Sequence, residues 1–201
     1  MEVKSNIILR NSGNIELRSL EDNQESRTVT GYAVVFESES NDMGFIETIQ
    51  RGAITQELVD NCDVFAKFNH DDNKVLARSN KGKGSLRLTV DEHGLKYEFE
   101  APNTDLGNTL LENIRRGEIY QSSFAFALDP DDKTSQKWEK RNGKLYRTIS
   151  KIAYIFDVSP VWTPAYSETS VDKRSMEEGN AIIERNEKYD NMIKELENYI
   201  I

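Results

Sequence analysis

A strand-rich α+β fold is predicted by three features of the sequence. Leu86, Leu88 and Val90 alternate with polar neighbours, Asp91 to Gly94 supply a turn, and Leu95, Tyr97 and Phe99 alternate again, as in a hairpin. Thr28 to Phe36, TVTGYAVVF, is rich in β-branched and aromatic residues that fit a pleated surface. Helical spacing, by contrast, is clearest in Leu106, Leu110, Leu111 and Ile114, and again in a C-terminal segment after Glu177.

In chain order, Asn11, Ser12 and Gly13 read as a turn, so the first residues form either a flexible arm or an edge strand. Ile15, Leu17 and Leu20 start a further strand, and Phe45 to Ile49 supply a short one. Ile54 and Leu58 at helical spacing predict a short helix between Arg51 and Asn61. Val64 to Phe68 is an apolar strand that stops at Asn69, His70, Asp71, Asp72 and Asn73, which puts His70 where a strand meets a polar loop. Thr104 or Asn103 can cap a helix that ends at Gly117. That helix leads into GEIYQSSFAFAL, Gly117 to Leu128. A regular strand from Ile119 to Leu128 would put Tyr120, Ser122, Phe124, Phe126 and Leu128 on a heavy face, and Gln121, Ser123, Ala125 and Ala127 on a nearly bare one. The bare face lets a substrate approach the Ser123 hydroxyl; it equally suits packing against a neighbouring helix.

Extended segments around Trp138 and from Lys144 to Val161 flank an Asn142-Gly143 turn, and the second is long enough for two strands or one bent strand. Asp157 interrupts its apolar pattern and needs a partner or water. Pro160 and Pro164 close the strand-rich region. Ile182, Tyr189 and Leu196 then recur every seven residues, with Met192, Ile193, Tyr199 and Ile200 beside them, a narrow apolar stripe suited either to docking on the domain or to pairing with another chain. The organisation expected is an N-terminal arm (1–24), one domain (25–174) and a helical tail (175–201).

Composition narrows the function. The 201 residues carry a formal net charge of −9 and a pI of about 4.9, an unfavourable field for nucleic acid. Cys62 is the single cysteine and His70 and His93 are the two histidines, which leaves little for a disulfide or a zinc site, so no metal or organic cofactor is expected. No run of about twenty apolar residues and no signal-peptide core are present, which predicts a soluble intracellular protein without membrane contact.

A serine hydroxyl needs a neighbouring base to take its proton, and imidazole is the side chain best suited near neutral pH. His93 lies in a turn, which leaves His70 as the base for Ser123. A carboxylate to orient the imidazole is available in Asp157, and triads assemble from residues far apart in the chain.

The segments FNHDDNKVLAR (Phe68 to Arg78), DEHGL (Asp91 to Leu95), IRRGEIYQSSFAF (Ile114 to Phe126) and FDVSPVWTPAYSET (Phe156 to Thr169), in this order, resemble the prohead protease family of tailed bacteriophages. The resemblance runs from about Thr28 to Arg174. It implies a compact β-barrel similar to herpesvirus assemblin, surrounded by helices, and a viral serine endopeptidase acting in the assembling procapsid within the host cytoplasm. Its implied substrates are the scaffold protein, the scaffold-like segment of the major capsid protein, or the protease itself; a homodimer is a further expectation. The histidine of the family's HD pattern falls on His70 and the serine before the aromatic of its SFGF-like pattern on Ser123, with Ser122 as the neighbouring alternative. The acidic position before VS, usually glutamate, falls on Asp157. An oxyanion donor among Arg115, Arg141 and Arg147 stays open. The rival is an inactive capsid-assembly or scaffold-binding protein that keeps the fold. An esterase finds less support, because no GxSxG elbow surrounds Ser123.

Overall fold

The computed structural model describes residues 7–17, 26–162 and 170–199. Its strands are β1 (Ile8–Leu17), β2 (Thr28–Val35), β3 (Ile46–Ile49), β4 (Asp63–Lys67), β5 (Val75–Asn80), β6 (Lys83–Gly84), β7 (Arg87–Val90), β8 (Gly94–Glu100), β9 (Gln121–Ala127), β10 (Gln136–Arg141), β11 (Lys144–Ile149) and β12 (Tyr154–Val161). The helices are α1 (Gln56–Asn61), α2 (Asp105–Arg115) and α3 (Ser170–Tyr199). Nine strands form one sheet in the order β6-β5-β4-β12-β9-β1-β2-β8-β7, and β10-β11-β3 form a second. The strand-rich α+β expectation holds.

A closed barrel does not form among the described residues. The large sheet ends at β6 and β7, which do not pair. At β7 the outer edge is taken by a side chain: Val90 N donates to Gln56 Oε1 at 2.8 Å, and Gln56 Nε2 donates to Leu88 O at 3.2 Å. A glutamine from α1 thus satisfies the edge that a closing strand would otherwise fill. The similarity to an assemblin-like barrel is corrected to two open sheets.

β1 shows how the large sheet turns. Its first part pairs with β9, its last three residues pair with β2, and the register shifts between Ser12 and Asn14. The segment read as an arm therefore supplies a strand between two others. Its Arg10 reaches the second sheet, donating to Glu47 Oε1 at 2.5 Å, while Arg147 donates to Glu47 Oε2 at 3.0 Å. All three are buried, so the carboxylate ties β1, β3 and β11 together.

The core lies mostly inside the large sheet, with Phe124, Phe126, Tyr97, Phe99, Leu95, Leu110, Leu111 and Ile155 almost wholly buried. Each such side chain contributes roughly 1.5–3 kcal/mol of burial free energy. A satellite core of Phe45, Trp138 and Leu145 receives Met176, Ile182 and Ile183 of α3. Gly179 lets α3 come this close, since a Cβ there would stand 2.5 Å from the Trp138 ring. Farther along, Tyr189, Met192 and Ile193 are exposed. The N-terminal half of α3 docks, and the helix is continuous across residue 175, where the sequence places the start of a tail.

Candidate active site

Ser123 is positioned by what precedes it. Thr104 caps α2 by accepting from Gly107 N at 3.3 Å, and Gly117, at φ +72°, ends the helix in the left-handed conformation that favours glycine. Gly117 N donates to Ile114 O, and Glu118 N and Ile119 N to Asn113 O, which folds the chain back into β9. β9 is flanked by β12 on one side and β1 on the other. Ser122 faces the core, where its hydroxyl and that of Tyr97 share a hydrogen bond of 2.8 Å in full burial. By the period of two, Ser123 then faces the other way. That opposite face carries small side chains, and Ala125 and Ala127 on it are buried as well, in a strand near the middle of the sheet.

His70 follows β4. Asn69 and His70 both have φ near +57°, a conformation uncommon outside glycine, and Asn69 N donates to Pro160 O at 2.9 Å. Phe68 N bonds Lys74 O, and Asp71 N bonds Phe68 O, closing the loop on itself. The chain therefore hooks over the end of β12 and turns the imidazole toward β9. Two consecutive left-handed residues cost on the order of 1–3 kcal/mol each, a strain that occurs often at functional sites.

Asp157 sits on β12 next to a register shift between Ile155 and Asp157. β12 pairs antiparallel with β9, setting Ser159 opposite Ser123 and Asp157 opposite Ala125, so Asp157 and Ser123 lie on one face. The three candidate residues meet there. His70 Nε2 lies 2.6 Å from Ser123 Oγ, and His70 Nδ1 lies 2.6 Å from Asp157 Oδ1. An imidazole hydrogen-bonded to a carboxylate through Nδ1 presents Nε2 as the acceptor for the serine proton. Ser123 has no exposed surface, while the His70 side chain keeps 17% of its own.

Two further residues hold the carboxylate. Ser159 Oγ donates to Asp157 Oδ1 at 2.7 Å, and Lys67 Nζ lies 3.4 Å from Asp157 Oδ2 and 2.6 Å from Asp72 Oδ1. Burial alone would raise the Asp157 pKa, but hydrogen bonds from His70 and Ser159, together with the charges of His70 and Lys67, bring it below its ordinary value. The carboxylate is thus held ionised while 3% exposed. Sequence reasoning missed both partners. Ser159 had a usable signal, since i and i+2 on a strand share a face, whereas Lys67 comes from β4 through the long-range β4–β12 pairing and carried none.

The other sequence candidates lie elsewhere. His93 is exposed, edge-on to Tyr32 with ring centroids 4.5 Å apart. Arg147 is committed to Glu47 and Gln136, and Arg141 pairs with Glu139 on the second sheet. Arg115 lies 4.0 Å from Glu112 on α2. Cys62 is buried, and burial pushes its thiol pKa up, the opposite of what a cysteine nucleophile requires. No group of three or more side chains suited to a metal ion occurs among the described residues.

Residues 13–182 match the family model described as caudovirus prohead serine protease. The chain belongs to that family. It is a serine peptidase of the capsid-maturation type. The structure of the bacteriophage T4 capsid assembly protease, gp21, is similar in fold, with a TM-score of 0.53 at 12% identity over 80% of this chain and 99% of that one. No curated protein matches at a significant level. No helix among the described residues of this prohead protease is long and apolar enough to cross a membrane.

Proposed function

We propose that this prohead serine protease hydrolyses peptide bonds with Ser123 as nucleophile, His70 as general base and then acid, and Asp157 as the orienting carboxylate. The unbroken chain of short contacts Ser123 Oγ, His70 Nε2, His70 Nδ1 and Asp157 Oδ1 carries this reading. Ser123 Oγ attacks the scissile carbonyl carbon while His70 Nε2 takes its proton. Asp157 stabilises the imidazolium, which then protonates the leaving amine as the acyl-enzyme forms. Water, deprotonated by the same nitrogen, releases the acyl group and restores the serine. The rival of an inactive assembly protein is disfavoured, because base, nucleophile and carboxylate are all present and in contact.

The substrates proposed are the scaffold protein and the scaffold-like segment of the major capsid protein, cut inside the procapsid in the host cytoplasm, with self-cleavage in addition. A homodimer is part of the same proposal. Family membership supports capsid-related protein substrates. Coexpression with the capsid and scaffold proteins of the same phage, followed by intact-mass analysis, tests it: new discrete masses with wild type and none with Ser123→Ala are expected. Uncut precursors in both samples, despite assembled shells enclosing the protein, would return the assembly-factor reading.

A further inference from the structure

Gln121 opens β9 two residues before Ser123. Successive side chains on a strand alternate, so the two share a face with Cα atoms roughly 6.5–7 Å apart. The β9–β12 register agrees, with Val161 opposite Gln121 and Ser159 opposite Ser123. Among the described residues, Gln121 Oε1 is a buried side-chain oxygen without a hydrogen-bond partner. Leaving such an acceptor unmet costs on the order of 1–3 kcal/mol, and a site that persists with this cost invites a donor from a ligand.

The geometry limits what that donor can be. A polypeptide whose scissile carbonyl carbon sits on Ser123 Oγ offers a main-chain N–H about every 3.4 Å along an extended strand. The Gln121 carboxamide, on the same face and one pleat repeat away, reaches an N–H one or two residues from the scissile bond. Resting on the Ser123–His70 reading, we propose that Gln121 Oε1 accepts a hydrogen bond from the substrate main chain and so fixes the register of the polypeptide over the nucleophile. Gln121 is a substrate-positioning residue in this account. A main-chain contact is indifferent to the substrate side chain, so it sets register without selecting sequence.

The test separates the nucleophile from the substrate's main chain. Wild type, Gln121→Met and Gln121→Glu, as full chains, are compared for the rate of Ser123 modification by diisopropyl fluorophosphate, which has no peptide N–H, and for kcat/KM on the phage's major capsid protein. The expected result is modification within about twofold of wild type for both variants, but kcat/KM lowered about tenfold in Gln121→Met and largely recovered in Gln121→Glu, which keeps an acceptor oxygen. Unchanged capsid cleavage in Gln121→Met would overturn the proposal, the acceptor then being met by water alone. Equal loss in both assays would also overturn it, since Gln121 would then act on the fold or the nucleophile. Wild type that is modified at Ser123 yet cuts no capsid protein removes this proposal and the substrate reading, while the triad stands. Wild type that is neither modified nor active removes the triad itself.

Discussion

Ser159 Oγ donates to the same Asp157 oxygen, Oδ1, that faces His70 Nδ1, at 2.7 Å and 2.6 Å respectively. The serine thus fixes the carboxylate rotamer from within its own strand. Ser159→Ala removes a hydrogen bond to a charged group and frees the carboxylate to turn. Its kcat/KM is expected to fall about tenfold, with circular dichroism unchanged.

Asp157 itself offers two substitutions with different meanings. Asp157→Asn keeps the shape but loses the charge, and its amide NH2 can donate to Nδ1 and select the wrong imidazole tautomer; a loss of about 10⁴-fold in kcat is expected, as for the corresponding change in other serine proteases. Asp157→Glu adds about 1.5 Å of chain to a carboxylate already within hydrogen-bonding distance of both partners. A fall of roughly 10–10²-fold is expected there, although glutamate is the residue the family resemblance leads one to expect at this position. Single-turnover rates on a cleaved capsid segment check both.

Stability in acid should follow Asp157. Its folded pKa lies below the ordinary 3.8, so the stabilisation is fully present above that pH and is lost as pH falls through the lowered value. Ser159 and Lys67 both contribute to the lowering. The acid-unfolding midpoint is therefore expected to rise in both Ser159→Ala and Lys67→Met. Fluorescence-monitored acid titration between about pH 2 and 5 reads it.

The two adjacent serines should separate cleanly. Ser122→Ala leaves the buried Tyr97 hydroxyl without its partner, so a loss of roughly 1–3 kcal/mol in stability with activity retained is expected. Ser123→Ala should do the reverse, abolishing cleavage with little change in urea denaturation.

Gly179→Ala tests how α3 is held. Alanine is about 1 kcal/mol better than glycine inside a helix, but its Cβ would meet the Trp138 ring, itself packed between Phe45 and the Arg147 guanidinium. Net destabilisation of about 1–3 kcal/mol is expected by thermal denaturation.

Much of this fold was legible where the signal is local. The Leu86–Phe99 hairpin, the Thr104 cap with its Gly117 stop and the Asn142-Gly143 turn each depend on residues a few positions apart, and each is present. The three candidate residues were named through chemistry and family resemblance, and the fold brings them into contact. What stayed hidden depends on long-range pairing: the use of β1 between β9 and β2, the Gln56 seal on β7, and Lys67 beside Asp157. The small-residue face of β9 is present as alternation predicts, but its burial stayed hidden for the same reason. Alternation reveals which side chains share a face, but not that strands on both sides bury the small ones.

The central claim is that Ser123, activated by His70, is the nucleophile. The most direct measurement is intact-mass analysis with site mapping after diisopropyl fluorophosphate treatment of wild type, Ser122→Ala, Ser123→Ala and His70→Ala. The account predicts one adduct, on Ser123, in wild type and Ser122→Ala, with none in Ser123→Ala and much slower labelling in His70→Ala. An adduct that persists in Ser123→Ala while capsid processing continues would contradict it.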